Sequence, residues 1–136
     1  MNKIRVAVVG YGNIGKSAIE ALETAPDMEI AGIVRRAGAE NCPEELKAYQ
    51  VVKDIKELGQ VDVALLCTPT RSVEAYAKEI LAQGINTVDS FDIHSLIVET
   101  RSRIDKIAKE CGQVAVISAG WDPGSDSVIR TLLLAM

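Results

Sequence analysis

The sequence has no long hydrophobic run, few aromatic residues and a single histidine. Aromatic residues make up only 4% of its 136 residues, and no apolar stretch approaches the ~20 residues of a membrane-spanning helix. We therefore expect no membrane segment. The first apolar strand begins at Ile4 and leaves no room for a signal peptide, so the cytoplasm is the expected location.

The chain also lacks an excess of positive charge and the cysteine spacing of a metal site. The net charge is -4, so we expect neither nucleic acid nor an anionic membrane as a partner. Cys42, Cys67 and Cys111 are odd in number and too far apart for a metal knuckle or a CxxC pair. They are predicted to be reduced, mostly buried thiols, and we predict no metal site.

Hydrophobic residues make up 48% of the sequence, and its length suits one domain with a core of its own. Apolar strand patterns alternate with helical stripes along the chain. This alternation predicts an α/β fold, a Rossmann-like doubly wound and mostly parallel sheet with helices on both faces. In such a fold, ligands bind outside the carboxyl ends of the strands.

The predicted elements follow the hydrophobic periodicity and the turn residues. Strands are predicted at 4–9, 30–34, 51–52, 61–67, 85–88 and 114–118. Helices are predicted at 13–25, 54–58, 72–84 and 94–111, with a last one from about Pro123. That helix ends in an apolar tail without a stop signal. We therefore expect residues 1–136 to be a truncated dinucleotide-binding domain, with a second domain to follow.

Three glycines follow the first predicted strand, in the sequence Gly10-Tyr11-Gly12-Asn13-Ile14-Gly15. A bare GxGxxG is weak, because three glycines in a loop can simply form a turn. Here the helical pattern begins at once and a second strand completes a βαβ unit. We therefore predict a dinucleotide turn, with a pyrophosphate on the free N–H groups of the helix N-terminus.

Arg35 and Arg36 end the second predicted strand, where an NAD-binding protein usually has an acidic residue on the ribose hydroxyls. A guanidinium group matches a phosphate in charge and geometry. The pair therefore indicates the 2′-phosphate of NADP. The alternative is a solvated basic loop.

Further candidates lie at the ends of later strands. The run Cys67-Thr68-Pro69-Thr70 could contact the nicotinamide ribose or amide, or could be an ordinary strand-ending turn. Asp89-Ser90-Phe91-Asp92 and Trp121-Asp122 should face the same crevice, where two carboxylates could bind an ammonium group or move its proton. Asp122 before Pro123 also fits a helix N-cap. His94 is more typical of a helix start than of a catalyst.

With these residues in view, the chain resembles the amino-terminal part of the meso-diaminopimelate dehydrogenases, NADP-dependent enzymes of bacterial lysine biosynthesis. The similarity covers essentially all 136 residues. Its first two motifs are VAVVGYGNIG (6–15) and VRR (34–36). The more specific ones are LLCTPTRSV (65–73), TVDSFDIH (87–94) and ISAGWDPGSDS (117–127).

The resemblance implies reversible oxidative deamination of meso-2,6-diaminopimelate to L-2-amino-6-oxopimelate, ammonia and NADPH. It implies that Asp92, Trp121 and Asp122 line the reacting end of the substrate, with both carboxylates as candidates for control of the amine proton. The cofactor-binding residues that it implies are Gly10, Gly12, Asn13, Ile14, Gly15, Arg35, Arg36, Cys67, Thr68, Pro69, Thr70 and Ser90.

Members of that family continue into a substrate and dimerisation domain, and the full-length enzymes are expected to be homodimers. We therefore expect this chain to bind NADP and to catalyse poorly or not at all. One alternative is a non-catalytic NADP-binding or redox-sensing module. Another is a different Rossmann oxidoreductase, such as a dihydrodipicolinate-reductase-like enzyme. The acidic strand ends favour the dehydrogenase, because a sensor has no use for them.

Overall fold

The computed structural model describes residues 3–136, and the chain divides into two compact units, Met1–Thr68 and Pro69–Met136. The first unit contains strands β1 (Ile4–Val9), β2 (Met28–Val34), β3 (Val51–Val52) and β4 (Val63–Leu66), and helix α1 (Asn13–Thr24). Its strands are all parallel and lie in the order β3-β2-β1-β4. This is the βαβ arrangement predicted for the glycine turn.

The core of the first unit forms between the apolar strands and one face of α1. Strand β1 pairs on both sides, with β2 and with β4, and Val6 to Val9 are buried. Full burial of an aliphatic side chain contributes about 1.5–3 kcal/mol, so the strands and the helix stabilise each other. The residues that form the buried cluster are Val6, Val8, Ile19, Leu22, Ile33 and Leu46.

Most predicted boundaries in this unit are confirmed within two residues. Strand β2 begins at Met28 rather than at residue 30, and β4 is shorter than predicted. The segment after Pro43 contains a 3₁₀ turn over Glu44–Leu46. Asp54 begins the 3₁₀ turn Ile55–Leu58, as predicted, because its side chain and that of Glu57 cap each other's backbone N–H groups.

The second unit contains helices α2 (Val73–Leu81), α3 (Ile97–Cys111) and α4 (Ser125–Leu134), and the parallel strands β5 (Asn86–Asp89) and β6 (Ala115–Val116). Short 3₁₀ turns over Thr70–Ser72 and His94–Leu96 precede α2 and α3. Strand β6 is shorter than predicted. Helix α4 begins two residues after Pro123.

Helix α3 packs on α2 through an apolar stripe and a forked ion pair. Thr100, Ile104 and Ala108 are the buried face of α3, as the periodicity predicted. The Arg103 guanidinium donates from Nε to Glu74 Oε1 (2.6 Å) and from a second nitrogen to Oε2 (2.9 Å). This geometry orients the two helices, although an exposed pair of this kind contributes at most about 1 kcal/mol.

Helix α4 differs from the other helices because none of its residues is buried within residues 3–136. Its apolar side chains include Leu132, Leu133 and Leu134, which are 61%, 64% and 89% exposed. In the described part of the chain, no helix is both long and apolar enough to cross a membrane.

A threonine pair tests how unpaired polar groups affect the stability of the second unit. Thr87 and Thr100 are both 1% exposed. Within residues 3–136 the Thr87 hydroxyl has no hydrogen-bond partner, whereas that of Thr100 accepts from Arg103. We expect Thr87→Val to raise the free energy of unfolding by about 1 kcal/mol and Thr100→Val to lower it by a similar amount, because only the second loses a hydrogen bond. Urea denaturation of both variants measures this, and equal signs would contradict it.

Candidate functional site

The glycine turn is closely packed at its first and last glycines. Gly10 has a φ of 100°, and a Cβ there would lie 2.4 Å from the carbonyl oxygen of Cys67. A Cβ on Gly15 would lie 2.3 Å from the Gly10 oxygen. Both contacts are with backbone that cannot move aside. The first glycine thus makes the bend and the third brings α1 against the turn, as in a dinucleotide-binding turn.

Gly12 differs from Gly10 and Gly15, because the protein around it leaves room for a side chain. Its φ of -107° is open to any residue, and a Cβ there would meet no heavy atom within 4 Å. Asn13 and Ile14 are exposed beside it. Among residues 3–136 no side chain caps the N-terminus of α1, and the first turn of this helix has no acidic residue. The helix thus presents free N–H groups and open space, which suit a phosphate group.

Tyr11 connects the glycine turn to the segment that follows the arginine pair. Its hydroxyl donates to Glu45 Oε1 at 2.8 Å, and Lys16 Nζ lies 3.5 Å from the same oxygen. Burial, with a smaller effect of Glu45, raises the pKa of Tyr11 to about 12, so the phenol stays protonated and continues to donate. These contacts hold the turn and the 3₁₀ turn at Glu44–Leu46 together.

Arg35 and Arg36 lie directly after β2, at its carboxyl end. The Arg35 guanidinium donates to the Gly38 carbonyl at 3.1 Å, and Arg36 is exposed. The ion pairs found within residues 3–136 involve neither residue. A cleft of about 270 Å³ opens beside the following segment, Ala37 to Glu40. At the predicted phosphate position there are thus two cations that have no carboxylate partner in the described part of the chain.

Cys67 and Thr68 continue from the end of β4 within the same unit. The Cys67 N–H donates to the Val9 carbonyl at 2.8 Å, and burial raises the pKa of the Cys67 thiol to about 11. This thiol is therefore a poor nucleophile near neutral pH. The Thr68 hydroxyl oxygen is buried and lacks a hydrogen-bond partner among the described residues. Like the other two cysteines, Cys67 is free but half-buried, so the predicted burial is only partial.

Pro69 and Thr70 belong to the second unit, as do Ser90, Asp92, Trp121 and Asp122. The Thr70 hydroxyl accepts a hydrogen bond from the Asp92 N–H at 3.1 Å. The Asp92 carboxylate itself is exposed. Thr70 therefore fixes the backbone that carries a predicted catalytic carboxylate.

His94 connects the two predicted substrate segments. It begins the 3₁₀ turn at His94–Leu96, which confirms its prediction as a helix-start residue. Its Nε2 lies 3.4 Å from Asp122 Oδ1. The segment that ends with Asp92 and the segment that contains Asp122 thus meet through this histidine.

The capping interpretation of Asp122 is wrong. Helix α4 begins at Ser125 with Gly124 at its N-cap, and the Gly124 N–H donates to Ser127 Oγ at 3.3 Å. Gly124 has a φ of 143°, and a Cβ on it would lie 1.8 Å from the Gly120 oxygen. This glycine therefore makes the turn into the helix that Asp-Pro was expected to make.

Asp122 instead forms an ion pair with helix α4. Its Oδ1 lies 2.9 Å from a guanidinium nitrogen of Arg130, and Arg130 also pairs with Asp126 at 2.7 Å. Trp121, next to Asp122, is 66% exposed. The predicted reacting end thus has an exposed indole and a carboxylate with a cationic neighbour.

Two residues near these positions are not among the predicted site residues. Asp89 is 3% exposed, and its Oδ1 accepts from the backbone N–H groups of Phe91 (2.9 Å) and Ser118 (3.1 Å). Arg130 is the partner of Asp122. The alternation in β5, where Thr87 and Asp89 share the buried face, could have identified Asp89. No pattern in the sequence marks Arg130.

Comparisons with known proteins identify the family of the chain. Residues 4–89 match the model of an oxidoreductase family with the NAD-binding Rossmann fold. The chain belongs to this oxidoreductase family. The predicted fold class, a Rossmann-type parallel α/β fold, is therefore confirmed.

The chain is 70% identical over all of its 136 residues to the meso-diaminopimelate D-dehydrogenase of Bacteroides fragilis, of which it covers 46%. Two solved structures are also similar. One is the C. glutamicum diaminopimelate dehydrogenase in complex with diaminopimelate, at 36% identity and a TM-score of 0.81, over 99% of this chain and 42% of that one. The other is an engineered D-amino acid dehydrogenase bound to NADP+, at 34% identity and a TM-score of 0.80, over 98% of this chain and 41% of that one.

These findings confirm the resemblance to the meso-diaminopimelate dehydrogenases. The chain spans less than half the length of the relatives that it matches. The roles of individual residues stay predictions, since no comparison tests them.

Two glycine variants separate packing from ligand binding at the turn. We expect Gly15→Ala to lower the free energy of unfolding by about 1–3 kcal/mol, because its Cβ collides with backbone. Gly12→Ala should change it by no more than about 0.5 kcal/mol, because that Cβ enters open space. Denaturant titration followed by circular dichroism measures both. A large loss for Gly12→Ala would show that protein packing, rather than space for a ligand, requires this glycine.

Proposed function

We propose that this chain is the cofactor-binding part of an NADP-dependent meso-diaminopimelate dehydrogenase of lysine biosynthesis. The proposed reaction is the oxidative deamination of meso-2,6-diaminopimelate, in which NADP+ accepts the hydride and water supplies the carbonyl oxygen; the products are L-2-amino-6-oxopimelate, ammonia, NADPH and a proton. The observation that carries the proposal is the 70% identity, over the whole chain, to the Bacteroides fragilis meso-diaminopimelate D-dehydrogenase.

The first unit fits the dinucleotide in its local geometry. The pyrophosphate is assigned to the free N–H groups at the start of α1, beside the open space at Gly12. The buried, unpaired hydroxyl oxygen of Thr68 supports an additional polar contact at the end of β4. When bound, NADP accepts the hydride. The residues of this chain therefore have to orient the cofactor and exclude competing reactions.

The choice of NADP over NAD is assigned to Arg35 and Arg36. A 2′-phosphate adds up to two negative charges at the end of β2, and a guanidinium group can donate two parallel hydrogen bonds to it. An acidic residue at this place would repel that phosphate. One similar solved protein, the engineered D-amino acid dehydrogenase, is bound to NADP+.

The reacting amine is assigned to Asp92 and Asp122 in the second unit. A carboxylate attracts the ammonium form of the substrate and can accept the proton that must leave before the carbon–nitrogen bond is oxidised. A guanidinium nitrogen of Arg130 lies 2.9 Å from the Asp122 oxygen and limits the directions from which that carboxylate can bind an amine. The exposed Trp121 indole supplies an apolar wall for the substrate carbon chain.

The remaining parts of the proposal concern the complete protein. We propose that residues 1–136 form its dinucleotide-binding domain, that a substrate and dimerisation domain completes the site, and that the enzyme is a cytoplasmic homodimer. The chain covers only 40–46% of three similar dehydrogenases. Ammonia-dependent NADPH oxidation by this chain alone should accordingly be weak, and robust turnover would contradict the need for further residues.

The arginine assignment predicts the nucleotide preference of the chain. Fluorescence titration should give tighter binding of NADPH than of NADH. In the double variant Arg35→Ala with Arg36→Ala, the Kd for NADPH should rise by about 10- to 100-fold, because charge-assisted hydrogen bonds are lost. The Kd for NADH should stay within about threefold, since NADH has no 2′-phosphate to lose.

The matched control removes two exposed positive charges from α3, by Arg101→Ala with Lys106→Ala. It alters the net charge by the same amount, so a general electrostatic effect would weaken NADPH binding in both double variants. Equal weakening of NADPH binding in the two double variants would contradict the arginine assignment. If neither nucleotide binds to a chain that melts cooperatively, the dinucleotide assignment itself is wrong.

The carboxylates are testable in a chimera in which this chain replaces the matching part of the Bacteroides fragilis relative. We expect NADP-dependent deamination of meso-diaminopimelate by the chimera. Asp92→Asn and Asp122→Asn should each lower kcat/KM by about 10²- to 10⁴-fold, because positioned acid–base groups contribute that much. Initial rates of NADPH formation across pH measure the effect.

Asp105→Asn is the control, since Asp105 is an exposed carboxylate of α3 that pairs with Lys109. It should leave kcat/KM within about twofold of the unsubstituted chimera. Undiminished activity in both the Asp92 and the Asp122 variants would remove the proposed role of these residues. A chimera active on other imines or ketones but not on diaminopimelate would favour a different oxidoreductase.

A further inference from the structure

Asp89 is an acidic side chain in the interior of the second unit. It ends β5 and is only 3% exposed. A buried carboxylate loses its hydration, so it is rare unless polar groups compensate it. The compensation here comes from backbone, since its Oδ1 accepts from the N–H groups of Phe91 (2.9 Å) and Ser118 (3.1 Å).

These two N–H groups belong to different segments of the chain. Phe91 immediately precedes Asp92, and Ser118 lies three residues before Trp121. One oxygen atom therefore joins the loop after β5 to the loop after β6. An aliphatic residue of similar size could fill the space but could not make this connection.

Two neighbouring hydrogen bonds strengthen the connection. The Ala119 N–H donates to the backbone carbonyl of Asp89 at 2.8 Å. The Ser118 hydroxyl donates to the Phe91 carbonyl at 2.8 Å. Residues 118 and 119 are thus held at three points, although Ser118 has a φ of 57°, which is uncommon for a residue with a side chain.

The second carboxylate oxygen of Asp89 is not used in this way. Oδ2 is buried and has no hydrogen-bond partner among residues 3–136. Burial raises the pKa of Asp89, and the two N–H groups only partly oppose this effect. The residue thus reduces stability through one oxygen while it organises two loops through the other. Such a residue is expected where the exact position of the loops matters more than the stability of the fold.

We propose that Asp89 is a positioning residue, whose carboxylate holds the loops after β5 and β6 so that Asp92, Trp121 and Asp122 keep fixed places for the substrate amine. The inference rests on the proposed function, because that proposal assigns the substrate amine to these three residues. The holding of the loops itself is independent of any ligand, so it can be tested without one.

The test uses amide hydrogen exchange in the ¹⁵N-labelled chain, together with the indole N–H resonance of Trp121, the single tryptophan of the sequence. In Asp89→Ala, exchange at Phe91 and Ser118 should accelerate by about 10- to 100-fold relative to the remaining amides, because a charge-assisted acceptor is lost. The Trp121 resonance should shift. Asp89→Asn retains an oxygen acceptor, so it should restore both the protection and the resonance position.

The matched control is Thr87→Val, at a residue that is buried on the same strand and whose hydroxyl has no hydrogen-bond partner among residues 3–136. It should leave the exchange at Phe91 and Ser118, measured relative to the remaining amides, and the Trp121 resonance unchanged. A purely structural role for Asp89 predicts a different result, in which Asp89→Ala speeds exchange uniformly through the unit and the Trp121 resonance stays in place. That result overturns the proposal.

If Asp89→Ala does not fold, the Asp89→Asn variant by itself tests the proposal. Retained protection at Phe91 and Ser118 with an unchanged Trp121 resonance supports the proposal. Loss of both overturns it, because the oxygen acceptor would then not be what holds the loops. A failure of NADPH binding or of deamination leaves these readouts unaffected, so the two proposals can fail separately.

Discussion

The contact on which the first unit depends is the close approach of α1 to the glycine turn. Gly15 packs its backbone against the Gly10 carbonyl, at a distance where any side chain would collide. Gly10 in turn packs against the end of β4 at Cys67. These two contacts determine where α1 begins and leave its first N–H groups beside the open space at Gly12. The predicted pyrophosphate site therefore rests on backbone N–H groups at the start of α1.

In the second unit, a buried carboxylate has the organising role that glycine has in the first. Asp89 joins two loops through backbone N–H groups, while Asp92 and Asp122 remain exposed at the ends of those loops. These three acidic residues therefore divide by burial into one that supports the backbone and two whose side chains are exposed. Arg130 adds a further difference between the two exposed carboxylates, because it forms an ion pair with Asp122.

Much of the fold was predictable because hydrophobic periodicity reports which side of an element is buried. The alternating and helical patterns located β1, α1 and α3 closely, and Gly112 ends α3 in the left-handed conformation that glycine favours. The start of α4 was not predictable from Asp122 and Pro123. Asp-Pro is an ordinary helix-start signal. However, the backbone at position 124 lies so close to the Gly120 carbonyl that only glycine fits there. That contact joins residues four apart and exists only in the folded loop.

The sequence by itself determined the family and the parallel βαβ beginning, because these depend on local spacing and residue type. The residues that it assigns to the chemistry stay predictions. The tertiary structure decided which charges are free and which are paired. Arg35 and Arg36 have no carboxylate partner within residues 3–136, whereas Arg130 occupies Asp122. It also decided that Asp89 is buried and Asp92 exposed, although the two are only three residues apart. Such differences depend on contacts between segments that are distant along the chain, and neither periodicity nor local propensity contains that information.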